Sequence, residues 1–141
     1  MTYALAWPLQ EAVFSRLTAD PGVTALLGDR IYDAGPQTDG PLSAEGPFAT
    51  LGDETAEDWG TQTDRGAAHV LRVTVTAATP GFQLAKRAAG AICDALLDAD
   101  LPMARGRVIF AGFVDAKTER AEADALRRIV LRFRLLIEDT A

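Results

Sequence analysis

The sequence predicts an α+β fold, a two-layer sandwich in which one long helix covers a mainly antiparallel four-stranded sheet. Residues 70–77 alternate in polarity and are rich in β-branched side chains, as in a strand with one buried face. Residues 79–97 carry apolar side chains with helical spacing. Residues 128–138 alternate again. Sequential strands pair as hairpins, and the helix covers one sheet face.

Two helices are predicted before the sheet. Residues 8–19 carry apolar side chains every four positions and have a proline in the first turn, where a helix tolerates proline best. The pair Asp20-Pro21 is a start signal for a second helix over residues 21–27. Gly28 can supply the left-handed conformation that ends it.

The remaining segments are predicted from alternation and from proline and glycine content. Extended segments are expected at residues 30–33, 47–52 and 107–115, with Gly112 marking a bulge or a bend. Connections are expected at residues 34–47, a loop, at 52–66, a long exposed loop or hairpin tip, and at 117–124, a protruding charged hairpin end.

Length and composition favour one soluble domain spanning residues 1–141. A chain of 141 residues can enclose a hydrophobic core without disulfides, and no apolar run is long enough to cross a bilayer. No secretory signal pattern is present, so we expect cytoplasmic assembly and no membrane partner. The formal charge of −6 and the pI near 4.7 argue against tight binding of nucleic acid, which depends on Lys and Arg.

An acidic segment precedes the strand at residues 70–77. It contains Asp53, Glu54, Glu57 and Asp58, which could in principle hold a divalent cation but are more typical of solvated charge. Trp59 in the same segment either folds back onto the domain or waits for a partner.

Arginines form a second group of candidate residues. Arg128, Arg132 and Arg134 share one face of the last predicted strand, and Arg120 lies in the charged connection before it. Two interpretations remain open: a solvated sheet face protected from aggregation by charge, or a subunit interface that meets carboxylates of a neighbour.

No motif for catalysis, cofactor binding or metal binding emerges. Cys93 is the only cysteine and falls on the apolar face of the long helix, where we expect a packed core residue. His69 is the only histidine and begins a strand on its apolar side, so we expect a packed or capping side chain. Neither nucleotide-binding glycine pattern is present.

Three segments together resemble the tail terminator family of long-tailed phages and gene transfer agent particles, whose members are also described as tail-completion or head-to-tail joining proteins. The segments are Arg30-Ile31-Tyr32-Asp33 followed by residues 47–52, the strand-to-helix unit at residues 69–97, and the ending from residue 106 through Arg120 to Arg134. The resemblance covers residues 9–138 and is one of order and spacing.

This resemblance implies a non-enzymatic virion protein without cofactors, assembled in the bacterial cytoplasm and located at the tail-neck junction. It implies a homo-oligomer, usually a hexameric ring, that caps the tail tube protein, contacts a neck or stopper protein of the head and lets DNA pass through its centre. An acidic lumen would repel phosphates and let DNA slide. From charge we expect Asp53, Glu54, Glu57 and Asp58, with Trp59, to face the lumen or a neighbouring ring.

Two alternatives come from other functional classes. One is a small hydrolase or metal-binding protein that uses the acidic segment, which would require clustered carboxylates around a cation. The other is a free-standing adaptor that binds a peptide on a sheet edge without forming rings.

Overall fold

The computed structural model describes residues 3–33, 46–59, 65–97, 100–121 and 126–140. Parts of the predicted connections, at residues 34–45, 60–64 and 122–125, lie outside this set. The elements in chain order are α1 (Ala6–Ala19), α2 (Pro21–Leu27), β1 (Ile31–Tyr32), β2 (Phe48–Asp58), β3 (Gly66–Ala77), α3 (Gln83–Leu97), β4 (Arg107–Ala121) and β5 (Leu126–Glu138).

The five strands form one sheet in the order β1-β2-β3-β5-β4. All neighbours pair antiparallel except β1 and β2, which are parallel over two residue pairs. The predicted α+β class is confirmed. The fifth strand arises because Ile31 and Tyr32 align with Ala49 and Thr50, a pairing across a long connection that local alternation cannot reveal.

The hydrophobic core lies between the helices and one face of the sheet. Leu71 and Val73 of β3 stand opposite Phe133 and Leu131 of β5, and all four are buried. Ile92 of α3 is fully buried in the same cluster. The predicted packing of the long helix on the strand at residues 70–77 is therefore confirmed. We call the face of the sheet that the helices cover the helix side, and the opposite face the open face.

Helix boundaries follow the predicted signals with two differences. At α2 the Asp20 carboxylate accepts a hydrogen bond from the Val23 amide at 3.1 Å, and Gly28 ends the helix with φ of 59°. The first helix starts two residues before the predicted position. The long helix starts at Gln83 rather than at residue 79, because the Thr79 hydroxyl donates to the Gly81 carbonyl at 2.7 Å in a preceding turn.

Two segments predicted as polar connections are largely strand. The acidic residues 53–58 belong to β2; residues 54–58 pair with residues 67–71 of β3, and Asp53 is the extra residue where the register shifts. Residues 117–121 belong to β4 and pair with the first part of β5. Backbone groups pair irrespective of side-chain polarity, so long hairpins continue through sequence that is too polar to enclose a core.

Candidate functional site

Strand β4 lies at one edge of the sheet and, among the described residues, pairs only with β5. It exposes four large apolar side chains, each between 42 and 53% accessible: Ile109, Phe110, Phe113 and Val114. We term these four residues the β4 patch. A long apolar strand at a free edge is a typical site of association with another surface. The patch is therefore the first candidate for an assembly contact.

Two bulges give the β4 patch its shape. The register of β4 against β5 shifts once on passing Ile109 and again on passing Val114. Each is the extra residue of a bulge, which bends the strand and interrupts its ladder. The edge consequently displays side chains and offers no regular row of backbone groups over this half of the strand.

The aromatic rings of the patch lie on both sides of the sheet. Phe113 meets the buried Phe133 ring edge-on, with centroids 6.2 Å apart. Phe110 lies on the open face across Gly112, where a Cβ atom would come within 2.7 Å of the Phe110 ring. Glycine is thus required at position 112 for this ring to lie flat on the strand.

Three of the predicted interface arginines share the open face. Arg132 donates from Nε to Asp115 Oδ1 at 2.8 Å and from its second nitrogen to the other carboxylate oxygen. Arg128 lies 3.4 Å from Glu119. Arg134 makes no ion pair within the described part of the chain. The Arg132 guanidinium lowers the pKa of the Asp115 carboxyl below its ordinary range.

Arg120 does not belong to this group. It stands opposite Arg127, and opposed residues of an antiparallel pair point to the same side. Arg127 lies on the helix side, where its guanidinium is 5.7 Å from the centre of the Phe82 ring and donates to the Pro80 carbonyl. The structure thus brings three of the four arginines together and separates Arg120 from them.

The acidic residues of β2 also differ from one another. Asp53 is almost fully exposed, and Glu57 and Asp58 are exposed as well. Glu54 is only 16% accessible and binds inward. Trp59 is half-exposed, and its ring lies against Gly66 at the loop end of the β2–β3 hairpin.

Glu54 connects two rings on the helix side of the sheet. One carboxylate oxygen accepts from the Tyr3 hydroxyl at 2.7 Å, and the other lies 3.1 Å from His69 Nδ1. Because an ionised carboxylate only accepts, Nδ1 of His69 carries the proton of this hydrogen bond. Tyr3 stacks on the His69 ring with centroids 6.2 Å apart.

This cluster changes the acidity of its members. Burial raises the pKa of Glu54, but the hydrogen bonds from His69 and Tyr3 outweigh burial and lower it below the ordinary value. The hydrogen bond that the Tyr3 hydroxyl donates to Glu54 raises the pKa of Tyr3. His69 is fully buried, as predicted for a packed side chain, and its Nε2 has no partner within the described part of the chain. Cys93 is half-buried, less than predicted, and burial raises its pKa.

A second apolar surface lies on α1. Trp7 is 65% exposed and Phe14 is 40% exposed, and their seven-residue spacing places them on one line along the helix. Gln10, between them on the same side, donates to Asp33 just after β1 at 2.6 Å. We term Trp7 and Phe14 the aromatic stripe; the side of α1 that carries Gln10 contacts the residue after β1.

Sequence reasoning did not single out either apolar surface. A signal for the first was the unbroken apolar run at residues 108–111, which an alternating half-buried strand would not show. A signal for the aromatic stripe was that Trp7 and Phe14 are large aromatic residues at positions outside the four-residue apolar spacing of α1. In the part of the chain that the structure describes, no three His, Cys, Asp or Glu residues converge as metal ligands, and no helix is long and apolar enough to cross a membrane.

Comparison with known proteins supplies a family. A family model described as tail completion protein gp17 matches residues 11–138. The chain belongs to the tail completion protein family. The resemblance seen in the sequence is thereby confirmed, and membership gives the chain a structural role in tail completion and a place in a virion.

A solved structure gives a second match for this tail completion family member. A chain in the structure entitled "Virion of native gene transfer agent (GTA) particle" is 42% identical, with a TM-score of 0.87. The match covers 97% of the chain described here and 99% of the other. None of the curated proteins matches.

Proposed function

We propose that this chain folds as one domain and forms a non-enzymatic hexameric ring at the tail-neck junction of a phage-like particle or gene transfer agent. The ring caps the finished tail tube and joins it to a neck protein of the head, and DNA passes through its lumen. The observation that carries the proposal is the match, over nearly the whole of both chains, to a chain of a gene transfer agent virion.

The charge of the chain supports a lumen that DNA can cross. The net charge is −6, and Asp53, Glu57 and Asp58 are exposed on one strand, β2. We propose that these carboxylates, with Trp59 beside them, face the lumen or a neighbouring ring. Carboxylates there would repel phosphates and keep DNA from adhering. Glu54 has a smaller part in this role because its carboxylate binds His69 and Tyr3.

The open face supports a role for the arginines in contacts between subunits. Arg134 has no ion pair inside the described part of the chain, and it lies beside Gly112 and the Phe110 ring. Arg132 and Arg128 already hold carboxylates of their own chain. We therefore propose that Arg134 makes the principal charged contact with a neighbour, and that Arg120 contributes from the helix side.

Deletion of the gene tests the tail-completion role in the native particle. We expect tails of irregular length or tails without attached heads in electron micrographs, and restoration by the wild-type gene in trans. Particles with normal tails, heads and DNA transfer after deletion would overturn the proposal. Imaging of wild-type particles tests the ring separately: six-fold density for this chain at the tail-neck junction is expected, and a single copy there would refute it.

Charge reversal tests the lumen. Glu57→Lys together with Asp58→Lys should leave particles assembled but lower DNA transfer, because cations in the lumen hold phosphates. Asp94→Lys, on the exposed side of α3, is the matched control and should leave transfer unchanged. Equal transfer by both variants would place the β2 carboxylates outside the DNA path.

A further inference from the structure

We infer that copies of the chain associate head to tail, with the β4 patch of one copy docked on the aromatic stripe of the next. The inference rests on the proposed ring and identifies the two surfaces that form it. The occupant of each surface is thus a second copy of this chain.

Exposed apolar area is concentrated at these two places. The large hydrophobic side chains exposed in the described part of the chain fall on β4, on or next to α1, and at Trp59. Trp59 lies against Gly66 in its own hairpin, whereas the β4 patch and the aromatic stripe lie on different elements of the fold. Covering the β4 patch with the stripe removes both from water in one contact.

The positions of the two surfaces suit a head-to-tail contact. The β4 patch occupies one edge of the sheet, and β1 lies at the other. Gln10, which is on α1 between Trp7 and Phe14, donates a hydrogen bond to Asp33, the residue after β1. A contact between two different surfaces of a subunit repeats from copy to copy and closes into a ring when the rotation allows.

The charges beside the two surfaces are complementary. Glu11 is exposed on α1 between Trp7 and Phe14, and Asp33 lies beside the stripe. Lys117 and Arg134 lie beside the β4 patch. Glu11, Lys117 and Arg134 make no ion pair within the described part of the chain, so each is available to a neighbour. Opposite charges at the two surfaces favour this pairing and set its orientation.

The alternative of pairing β4 with β4 is disfavoured on two counts. Such a two-fold contact joins the same patch on both copies. It would bring Lys117 and Arg134 of one copy into the same interface as Lys117 and Arg134 of the other, so that like charges meet. The bulges at Ile109 and Val114 also interrupt the edge that strand addition requires. Docking of side chains onto a helix does not need a regular edge.

Cysteine crosslinking in assembled particles tests the inference. In a Cys93→Ala background, Glu11→Cys and Lys117→Cys are introduced singly and together, and purified particles are treated with a short bis-maleimide, denatured and blotted for this chain. The double variant should give a ladder of multimers up to the ring size, because each copy is linked to the next. Each single variant should remain monomeric. Lys86→Cys with Lys117→Cys is the matched control on α3 and should give no ladder.

The outcomes separate the inference from the proposed function. Dimers from Lys117→Cys alone would show a two-fold β4 contact and overturn the inference. Absence of any ladder in particles whose micrographs show the ring would also overturn it, while leaving the ring intact. Absence of the ring itself would overturn the proposed function.

A second variant tests the contact without crosslinking. Ile109→Asp introduces a charge at an exposed bulge residue, so the fold should be preserved, as judged by far-ultraviolet circular dichroism. Incorporation of the chain into particles should fall at least tenfold. Gln83→Asp, exposed on α3 away from both surfaces, is the control and should be incorporated normally. Equal incorporation of both variants would overturn the inference.

Discussion

Replacing Glu54 by alanine removes the carboxylate that binds the buried His69 ring. In the wild-type chain His69 Nδ1 lies 3.1 Å from that carboxylate, and Nε2 has no partner among the described residues. In the variant, neither ring nitrogen of His69 has a hydrogen-bond partner among the described residues. Hydrogen bonds to charged groups contribute about 1.5–3 kcal/mol, and a buried unpaired polar group costs a similar amount. We therefore expect the free energy of unfolding to fall by about 2–3 kcal/mol.

Urea unfolding followed by tryptophan fluorescence measures this loss. Protein concentration is held fixed, because assembly would add stability that depends on it. Glu57→Ala is the matched control: it removes the same side chain from the same strand at an exposed position, and its effect should stay within about 0.5 kcal/mol. Equal stability of the two variants would refute the role assigned to the Glu54–His69 contact.

The effect of Glu54 should depend on pH. The folded state lowers the pKa of Glu54, so folding favours the ionised carboxylate. Its stabilising contribution is fully present above the ordinary glutamate pKa and is lost as the pH falls through the lower folded-state pKa. The difference between wild type and Glu54→Ala should thus be larger at about pH 7 than at about pH 3. A difference that grows on acidification would contradict this sign.

Three further variants test packing, capping and the β4 patch. Phe133→Ala empties the largest fully buried site and should lower the free energy of unfolding in urea by about 3–5 kcal/mol. Asp20→Ala removes the α2 cap and should cost about 1 kcal/mol in the same assay. Gly112→Ala displaces the Phe110 ring and should lower incorporation into particles, whereas Gly81→Ala, with no atom near the added Cβ, should not. Equal incorporation of the two glycine variants would refute the role of the ring.

The sequence by itself determined the elements whose signals are local. The Asp20-Pro21 start and the Gly28 stop define α2 to the residue, because capping and left-handed backbone depend on the residue itself. The alternation in β3 and β5 and the apolar period of α3 report which side of each element is buried. These patterns predict the two-layer α+β arrangement. The negative net charge follows from the amino-acid composition alone.

Only the tertiary structure decided what lies at each edge and which side chains meet. Strand pairing is not local, so the sequence could not place β4 at an edge or align β1 with β2. The separation of Arg120 from Arg132 depends on the register of β4 against β5, which a count of alternate residues along each strand does not contain. Glu54 appeared as one of several solvated acids, and only folding brought it to a histidine fifteen positions away. The spacing of apolar residues along a helix or strand indicates which of its faces is buried. Contacts between residues that are distant in sequence depend instead on how the helices and strands pack together.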